Sequence, residues 1–557
     1  MQTTILRNDF FVAIGVNFLF LLLYVLLGQL MHGSLDDYFM SAVLTGAYGS
    51  SYDVHLYFIN VVLGYLLKPL YWLFPDIGWY FFAELGGSFV SFVIISYLLL
   101  KKLKFRYRYE VLFFMLACLT PDFYYMLNFT QCATLYTAAG FLALLCGDID
   151  KKKKWLVVGV AMLVAGFVMR KDAFYMGMPF LLMLLLIRIF IYRSLSKYTI
   201  MAVLVCVGVC IGLNNFDKAH YMTSDYKYYA DYQPIRALFV DGDFYDREAI
   251  YDELEERGLH DLSFAAFSSW MFYDTDLYAL QNLKPLEKVV LHNIYQVNWA
   301  KMPIAIMKAL SSGFMNTIAW CWVLFSLLLL LYADRKISFY PWLSVILVAM
   351  ILGYLLMLNR VVYHVETGAW LYAAIGTIPF LSGECLDEKK CKPIIRSILL
   401  LLAVIFYAFT YYGQIVGAKT NLFTNPQYGD SYWLDFRKYA QAHVDDVFLL
   451  PLFEYQKEAT IQNYAYKSIA PGSWANIIPL GFWNVNLPGM NQELQKRGVG
   501  NPLKDIVNDN VYVVTENKTS LIERYYSVFY EKKLVADTVQ KIGELNILKF
   551  KESMPHE

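Results

Sequence analysis

Charged residues are scarce in this chain of 557 residues: Asp, Glu, Lys and Arg make up only 17% of the sequence, whereas hydrophobic residues make up 58%. A soluble domain has about 25% charged and about 45–50% apolar residues. The sequence therefore argues against a soluble enzyme and against a disordered chain. A net charge is also lacking, because 47 basic residues balance 47 acidic ones. Nucleic-acid binding would need a basic excess, so we expect no nucleic-acid partner.

Sequence motifs for nucleotide binding and for common hydrolytic chemistry are missing as well. The chain contains no GxxxxGKS/T, GxGxxG, GxSxG or HExxH string, and these strings mark P-loop, dinucleotide, hydrolase and zinc-protease sites. ATP-driven transport is disfavoured for this reason. Charges within the apolar runs are few, which also argues against an ion-coupled carrier.

Aromatic residues and long apolar runs, by contrast, are abundant. The 45 Tyr and 40 Phe residues suit interfaces where a ring has one wet end. Eleven runs approach the length of about 20 residues that a membrane-spanning helix needs. The first run follows Arg7 without a later small-residue cleavage site, so we interpret it as a retained anchor. The predicted spans are 10–30, 78–100, 109–127, 132–147, 155–169, 173–192, 198–214, 307–332, 339–358, 367–382 and 394–413.

One further apolar segment, 54–74, is interrupted by Lys68 and Pro69. If this segment lies in the membrane interface, the loops on one side of the predicted bundle hold sixteen Lys and Arg residues, and the short loops on the other side hold four. The positive-inside rule makes the basic side cytoplasmic. We therefore predict eleven spans, a cytoplasmic N-terminus, an extracytoplasmic C-terminus and an interfacial helix over 54–74.

Three non-membrane regions then lie together on the outer, extracytoplasmic side: 31–77, 215–306 and 414–557. The segment 245–264 has the pattern of a helix. In the tail, VFLLPLF, NVYVVTE and ELNILKF predict strands, and KTSLIERYYSVFY predicts a helix. The predicted fold class is thus an α-helical polytopic membrane protein, in which 1–413 forms the transmembrane domain and 414–557 a small extracytoplasmic α/β domain.

Cysteine is absent from both large outer regions, because all eight cysteines fall in predicted spans or on the cytoplasmic side. This excludes an ectodomain held together by disulfides. Cys206 and Cys210 lie one helical turn apart and are interpreted as small packing residues. Cys385 and Cys391 have no histidine nearby, so a zinc site there is disfavoured.

A carboxylate pair, Asp36 and Asp37, follows the first predicted span directly. Adjacent acids at a membrane mouth are costly beside hydrocarbon and are often functional. The structural alternative is a helix N-cap formed by Ser34 or Asp36. Both readings can hold, since a cap fixes the direction in which the second carboxylate points.

Two further outer positions are candidates with equally ordinary alternatives. Asp122, in the predicted loop 121–131, could face the carboxylate pair or could be a turn residue. His55, at the start of the predicted interfacial helix, could serve the site or could be structural.

Outer cations are few, so each is a candidate phosphate ligand. Arg170 lies between two predicted spans, and Arg360 begins a short loop that continues to Tyr363 and His364. Arginine matches phosphate oxygens in a bidentate way. The alternative for Arg170 is a snorkelling side chain or one paired with Asp172.

These positions together resemble the GT-C superfamily of polytopic glycosyltransferases, which includes protein O-mannosyltransferases and lipid A aminoarabinose transferases. Such proteins have a first span, an acidic pair in the first outer loop, an interfacial helix, and a span that ends in a basic loop. The matching positions are Asp36-Asp37, the string starting at His55, and Lys101-Lys102, although the family's double proline is missing after His55. The motif around Arg360 is similar in place to a late arginine motif of the family.

The resemblance implies an inverting transfer of a sugar from a polyprenyl-phosphate donor in the bilayer to a glycan, lipid or protein acceptor of the cell envelope. Asp36 or Asp37 would be the general base, and Arg360, with Arg170, would stabilise the phosphate leaving group. Asp122, His55 and His364 would bind substrate. Metal dependence stays open, with Asp37 and Asp122 as candidate ligands of Mg²⁺ or Mn²⁺. The expected location is a bacterial inner membrane.

Two other functions remain open. A polysaccharide polymerase or flippase of envelope biosynthesis would also have many spans, and the outer arginines Arg236, Arg247 and Arg257 fit a polymerase. A non-enzymatic role, with the outer domains binding a partner, ranks last because eleven spans are far more than an anchor needs.

Overall fold

The structure is a computed structural model. It describes residues 2–27, 31–49, 51–103, 107–223, 225–241, 261–294, 299–313, 317–332, 335–357, 362–381, 432–460, 464–517 and 519–553, together with isolated positions 252, 255–256, 397–398, 401–402, 404–405 and 408.

The N-terminal part of the described chain is helical. Its first nine helices are α1 (Gln2–Leu27), α2 (Leu35–Thr45), α3 (Val61–Leu73), α4 (Trp79–Lys102), α5 (Arg108–Thr120), α6 (Phe129–Ile149), α7 (Lys153–Met169), α8 (Lys171–Leu186) and α9 (Lys197–Tyr221). The outer segment and the following helices are α10 (Lys227–Val240), α11 (Asp261–Ser268), α12 (Leu280–Ile294), α13 (Met302–Gly313), α14 (Thr317–Tyr332), α15 (Tyr340–Met357) and α16 (Tyr363–Ile375).

Within the described residues, six helical segments are long and apolar enough to cross a membrane: Asn8–Leu26, Trp79–Lys102, Phe129–Ile149, Lys171–Ile191, Lys197–Tyr221 and Tyr340–Met357. The prediction of eleven spans is not confirmed; the structure supports the coarser prediction of a mostly helical chain with several long apolar helices. α5, which was predicted to run from 109 to 127, ends at Thr120 because a π-helical turn follows over Pro121–Tyr125. Most of the predicted span 394–413 lies outside the described residues.

α6 is the central helix of the bundle, because 94% of its most apolar stretch of 18 residues is buried. α9 is peripheral, because only 17% of the corresponding stretch is buried. Glycines allow α7 to approach α6 closely. A Cβ on Gly140 would come within 2.8 Å of the backbone nitrogen of Leu163, and one on Gly159 within 2.7 Å of that of Leu144. Such small-residue contacts are a common way for membrane helices to pack.

The predicted interfacial helix over 54–74 is shorter than expected. α3 begins only at Val61, where the side chain of Asn60 caps it by accepting a hydrogen bond from the backbone N–H of Val62. Residues 51–60 form an irregular segment instead. Pro69 lies inside the helix.

The C-terminal part contains a five-stranded sheet made of β3 (Val447–Leu450), β4 (Ile477–Pro479), β5 (Val511–Thr515), β6 (Leu534–Ile542) and β7 (Leu545–Glu552). The strand order is β4-β3-β5-β7-β6; β3 is parallel to β4 and β5, and β7 is antiparallel to β5 and β6. The accompanying helices are α17 (Tyr432–Ala442), α18 (Leu452–Thr460), α19 (Pro488–Lys496) and α20 (Ser520–Phe529).

Three of these strands and α20 confirm the sequence prediction, whereas β4 and β6 were not predicted. The predicted helix over 245–264 lies mostly outside the described residues, and only its end coincides with α11.

The C-terminal part packs directly on α2 and on the turn that follows it. The backbone N–H of Trp474 donates to the carbonyl of Ala47 at 2.8 Å, and the hydroxyl of Tyr455 donates to that of Tyr48 at 2.7 Å. The ring of Phe39, in α2, stacks on Tyr455 at 4.8 Å. These contacts bring the C-terminal part onto the helix that carries the acidic pair.

Candidate functional site

The two adjacent carboxylates, Asp36 and Asp37, lie in the first turn of α2 and have different surroundings. Ser34 occupies the N-cap position with an extended backbone, but its side chain makes no capping bond to the helix. Its hydroxyl donates instead to Oδ2 of Asp37 at 2.8 Å. Ser34 therefore occupies the predicted N-cap position, but its side chain does not form the hydrogen bond of an N-cap.

Asp37 is completely buried and held by protein donors. Besides Ser34, the hydroxyl of Tyr80 donates to its Oδ1 at 2.7 Å, and the backbone N–H of Phe129 donates to the same oxygen at 3.3 Å. Burial, and then the neighbouring carboxylate of Glu84, raises the pKa of Asp37 well above its usual value. An acid so enclosed is poorly placed to meet a substrate.

Asp36, in contrast, is partly exposed. Its Oδ1 accepts a hydrogen bond from Nε1 of Trp483 at 3.0 Å, and no other hydrogen bond to its carboxylate exists among the described residues. Burial raises the pKa of Asp36 to about 6, while the charge of Arg170 and the bond from Trp483 oppose that rise. Its second oxygen, Oδ2, is thus available for a proton-donating ligand.

Arg170 joins α7 to α8 and lies near the acidic pair. Its Nη1 donates to Oγ1 of Thr130 at 2.6 Å, and its guanidinium lies over the ring of Phe129 at 4.6 Å and over that of Phe58 at 5.6 Å. Its positive charge lowers the pKa of both Asp36 and His364. Arg170 therefore belongs to the same neighbourhood as the carboxylate.

Three aromatic rings line this neighbourhood, and we call them the aromatic wall: Phe58, Phe129 and Trp483. Phe58 contacts Trp483 edge-on at 5.5 Å and Phe129 at 5.6 Å. The three rings come from the irregular segment before α3, from the first turn of α6, and from the C-terminal part. Asp36 and Arg170 both contact members of this wall.

The late helix α16 meets the same region from another side. The hydroxyl of Tyr363 donates to Oδ1 of Asp122 at 2.9 Å, and Asp122 is buried in the π-helical turn. His364 is the next residue of α16 and feels the charge of Arg170. Arg360 lies outside the described residues.

His55 lies in a different pocket, with a volume of about 280 Å³, whose lining includes Asp53, Lys68, Tyr226 and Glu493 but none of the residues above. Its Nδ1 is 2.7 Å from Oδ1 of Asp53, and its ring stacks on Tyr226 at 3.6 Å. The hydroxyl of Tyr226 also donates to Asp53 at 2.6 Å. The structure therefore does not bring His55 to the carboxylate pair.

Sequence reasoning missed two residues that act on Asp36. Trp483 gave no signal, because its partner is 447 positions away in the chain. Arg236 was considered only as a polymerase residue. It is buried, its Nη1 donates to Asp241 at 2.6 Å, and its charge also acts on Asp36.

A second cluster lies behind Asp37 and includes two residues not singled out in the sequence, His32 and Glu84. His32 is in a short strand, β1 (Met31–His32), which pairs in parallel with β2 (Met126–Leu127). Burial lowers the pKa of His32 to about 4, so its imidazole is neutral. Asp37 and Asp122 are the metal-ligand candidates of the sequence, and the structure places His32 and Glu84 within 4.8 Å of Asp37.

No protein-family model, curated protein or solved structure matches this chain.

Proposed function

We propose that this chain is an integral membrane glycosyltransferase. It would move a sugar from a polyprenyl-phosphate donor, supplied from the bilayer, to a glycan, lipid or protein acceptor of the cell envelope. The observation that carries the proposal is the proximity of one partly exposed carboxylate, Asp36, to one partly exposed guanidinium, Arg170, beside an aromatic wall.

Asp36 suits the role of general base better than Asp37 does. Asp37 already accepts three hydrogen bonds and is fully buried. Asp36 has one oxygen fixed by Trp483 and the other available. A base must reach the proton that it removes within about 2.6–3.2 Å, so the exposed carboxylate takes that role.

The proposed step is a single displacement. The acceptor hydroxyl attacks the anomeric carbon while its proton passes to Oδ2 of Asp36. The bond between that carbon and the phosphate oxygen breaks, and its electron pair leaves with the polyprenyl phosphate. Arg170 stabilises the charge that develops on the phosphate, because a guanidinium offers parallel donors to its oxygens. The anomeric configuration inverts.

The aromatic wall fits this substrate class. Sugar rings and prenyl chains both present C–H surfaces that pack on aromatic faces. Phe58 and Phe129 also flank the guanidinium of Arg170, and they thereby limit its freedom to turn away from a bound phosphate.

The membrane arrangement is part of the proposal. We place the N-terminus and the basic loops in the cytoplasm, and 414–557 outside the inner membrane of a bacterium, with eleven spans. The six long apolar helices support a membrane location. We also place acceptor access to Asp36 on the outer side, where Trp483 of the C-terminal part contacts this carboxylate.

The second candidate, a polysaccharide polymerase or flippase, is favoured by one observation: Arg236 comes from the outer segment and its charge acts on Asp36. Its guanidinium, however, is already held by Asp241 and Gln233. A buried arginine with protein partners is less suited to bind a substrate phosphate than Arg170, so the transferase remains the first proposal.

The test is a transfer assay with the purified full-length chain in detergent. Polyprenyl phosphates carrying a radiolabelled hexose or pentose are supplied together with an envelope extract as acceptor. We expect label to move to the acceptor, with the opposite anomeric configuration by NMR. Absence of transfer from every donor, or retention of configuration, would contradict the proposal.

A further inference from the structure

Three buried side chains converge behind the first turn of α2. His32 ends β1, Asp37 lies in α2, and Glu84 lies in the second turn of α4; their exposed fractions are 1%, 0% and 0%. One nitrogen or oxygen from each lies within 4.8 Å of the others, and Nδ1 of His32 is 3.2 Å from Oε2 of Glu84.

Three buried polar atoms of this cluster lack a well-formed hydrogen bond. Among the described residues, the two oxygens of Glu84 and Nδ1 of His32 form no hydrogen bond of good geometry, although Asp37 and Tyr80 lie close to the carboxyl group of Glu84. Buried polar atoms in proteins are almost always satisfied, and an exception calls for an explanation such as an ion.

We propose that His32, Asp37 and Glu84 are ligands of one divalent transition-metal ion, Zn²⁺ or Mn²⁺. One imidazole nitrogen and two carboxylate oxygens form a donor set that suits these ions. The ion would give the three atoms a partner and would stabilise Asp37 and Glu84 as carboxylates. Mg²⁺ suits the set less well, because it prefers oxygen ligands and retains several waters.

The groups around the cluster match what metal ligands need. Tyr80, Ser34 and the backbone of Phe129 donate to Asp37 and fix the direction of its carboxylate. Such outer hydrogen bonds orient ligands and tune affinity. The ring of His32 is held edge-on by Tyr38 at 5.0 Å.

The ion would affect the reaction only by fixing the position of Asp36. Asp37 is the neighbour of Asp36 in the first turn of α2, so an ion that anchors Asp37 to α4 also anchors the backbone that presents Asp36. His32, Asp37 and Glu84 are thus positioning residues. The metal site itself does not depend on the proposed transfer reaction.

The test measures metal content and thermal unfolding of the full-length chain in detergent, without any substrate. The protein is treated with a chelator and then dialysed against ZnCl₂, MnCl₂ or MgCl₂. We expect about one Zn²⁺ or Mn²⁺ per chain by mass spectrometry of the elements, and a rise in unfolding temperature on loading, because binding to the native state stabilises it.

The variant for this test is Glu84→Gln, which keeps the shape of the side chain and removes the charge. It should bind less than a tenth of the wild-type metal, a loss of affinity of at least about 10–100-fold, and its unfolding temperature should not respond to metal. The matched control is Glu458→Gln, because Glu458 is also buried but is paired with Arg437; this variant should bind metal as wild type does. His32→Gln replaces Glu84→Gln if the latter does not fold.

Two outcomes would overturn the proposal. The first is wild-type protein that holds no stoichiometric ion and does not respond to chelator, which would show that Asp37 and Glu84 share a proton instead. The second is Glu84→Gln or His32→Gln protein that binds as much metal as wild type. Both readouts are independent of transfer activity, so they separate this proposal from the proposed function.

Discussion

The indole N–H of Trp483 donates to Oδ1 of Asp36 across 3.0 Å, although the two residues are 447 positions apart in the chain. One residue belongs to the first outer loop and the other to the C-terminal part. The bond therefore connects the C-terminal part to the carboxylate that we propose as the base. It also fixes which of the two carboxylate oxygens remains available.

The first prediction concerns this bond. Trp483→Phe removes the N–H donor but keeps a ring against Phe58. We expect kcat to fall about tenfold, since a hydrogen bond to a charged group contributes about 1.5–3 kcal/mol. The measurement is steady-state transfer. Trp474→Phe is the control, because the buried Nε1 of Trp474 has no hydrogen-bond partner among the described residues. Equal losses in both variants would mean that the ring matters and the bond does not.

The second prediction concerns Arg170. Arg170→Gln should lower kcat by roughly 10²–10³, the usual effect of removing one donor that stabilises developing charge. Arg170→Lys should recover only part of the activity, since an ammonium cannot bind phosphate in a bidentate way. The control is Lys171→Gln, which changes the exposed neighbouring cation. Full activity of Arg170→Lys with unchanged KM would support the snorkelling alternative.

The third prediction concerns the attachment of the outer segment to the C-terminal part. Oδ2 of Asp274 accepts from the hydroxyls of Tyr525 and Tyr530 at 2.9 and 2.5 Å, and Oδ1 accepts from Asn501 at 2.8 Å. Asp274→Ala should cost about 3–5 kcal/mol of unfolding free energy, because buried donors lose a charged partner.

The measurement for this prediction is chemical denaturation, in which unfolding is detected by limited proteolysis. Asp276→Ala is the matched control: its salt bridge to Lys504 is exposed, and exposed pairs contribute little to stability. A loss of stability no larger than that of Asp276→Ala would show that the Asp274 contacts do not hold the two segments together.

The fourth prediction concerns topology. Single cysteines at Lys532 and Lys151, both more than half exposed, are introduced after Cys385 and Cys391 have been replaced by Ser. A membrane-impermeant maleimide should label the cysteine at position 532 in cells with a permeable outer envelope, and the one at 151 only after the inner membrane is opened. The reverse pattern would place the site of Asp36 on the cytoplasmic side.

The sequence was informative where structure is local. Apolar runs predicted most of the helices, and the short strings VFLLPLF, NVYVVTE and ELNILKF predicted β3, β5 and β7. β4 escaped prediction because it has only three residues, and β6 because most of its side chains are exposed. The helix α3 was predicted too long, because the apolar string before Val61 has no polar break other than His55 and Asn60.

The site was predictable only in its first element. Asp36 and Asp37 stand out as adjacent acids after an apolar run, but their different surroundings come from distant residues. Trp483 and Phe129 approach through tertiary packing, which leaves no pattern near the acids. Glu84 is a single acid inside an apolar run, and only the fold reveals that it faces Asp37.

The most direct measurement is the transfer rate of Asp36→Asn against that of Asp172→Asn, with the labelled polyprenyl-phosphate sugar as donor. Asparagine keeps an oxygen for the bond from Trp483 but cannot take a proton, so we expect the rate to fall by roughly 10²–10⁴ while the protein folds normally. Asp172 is exposed at the start of α8, and its variant should transfer at the wild-type rate. Transfer by Asp36→Asn at the rate of Asp172→Asn would contradict the assignment of Asp36 as the base.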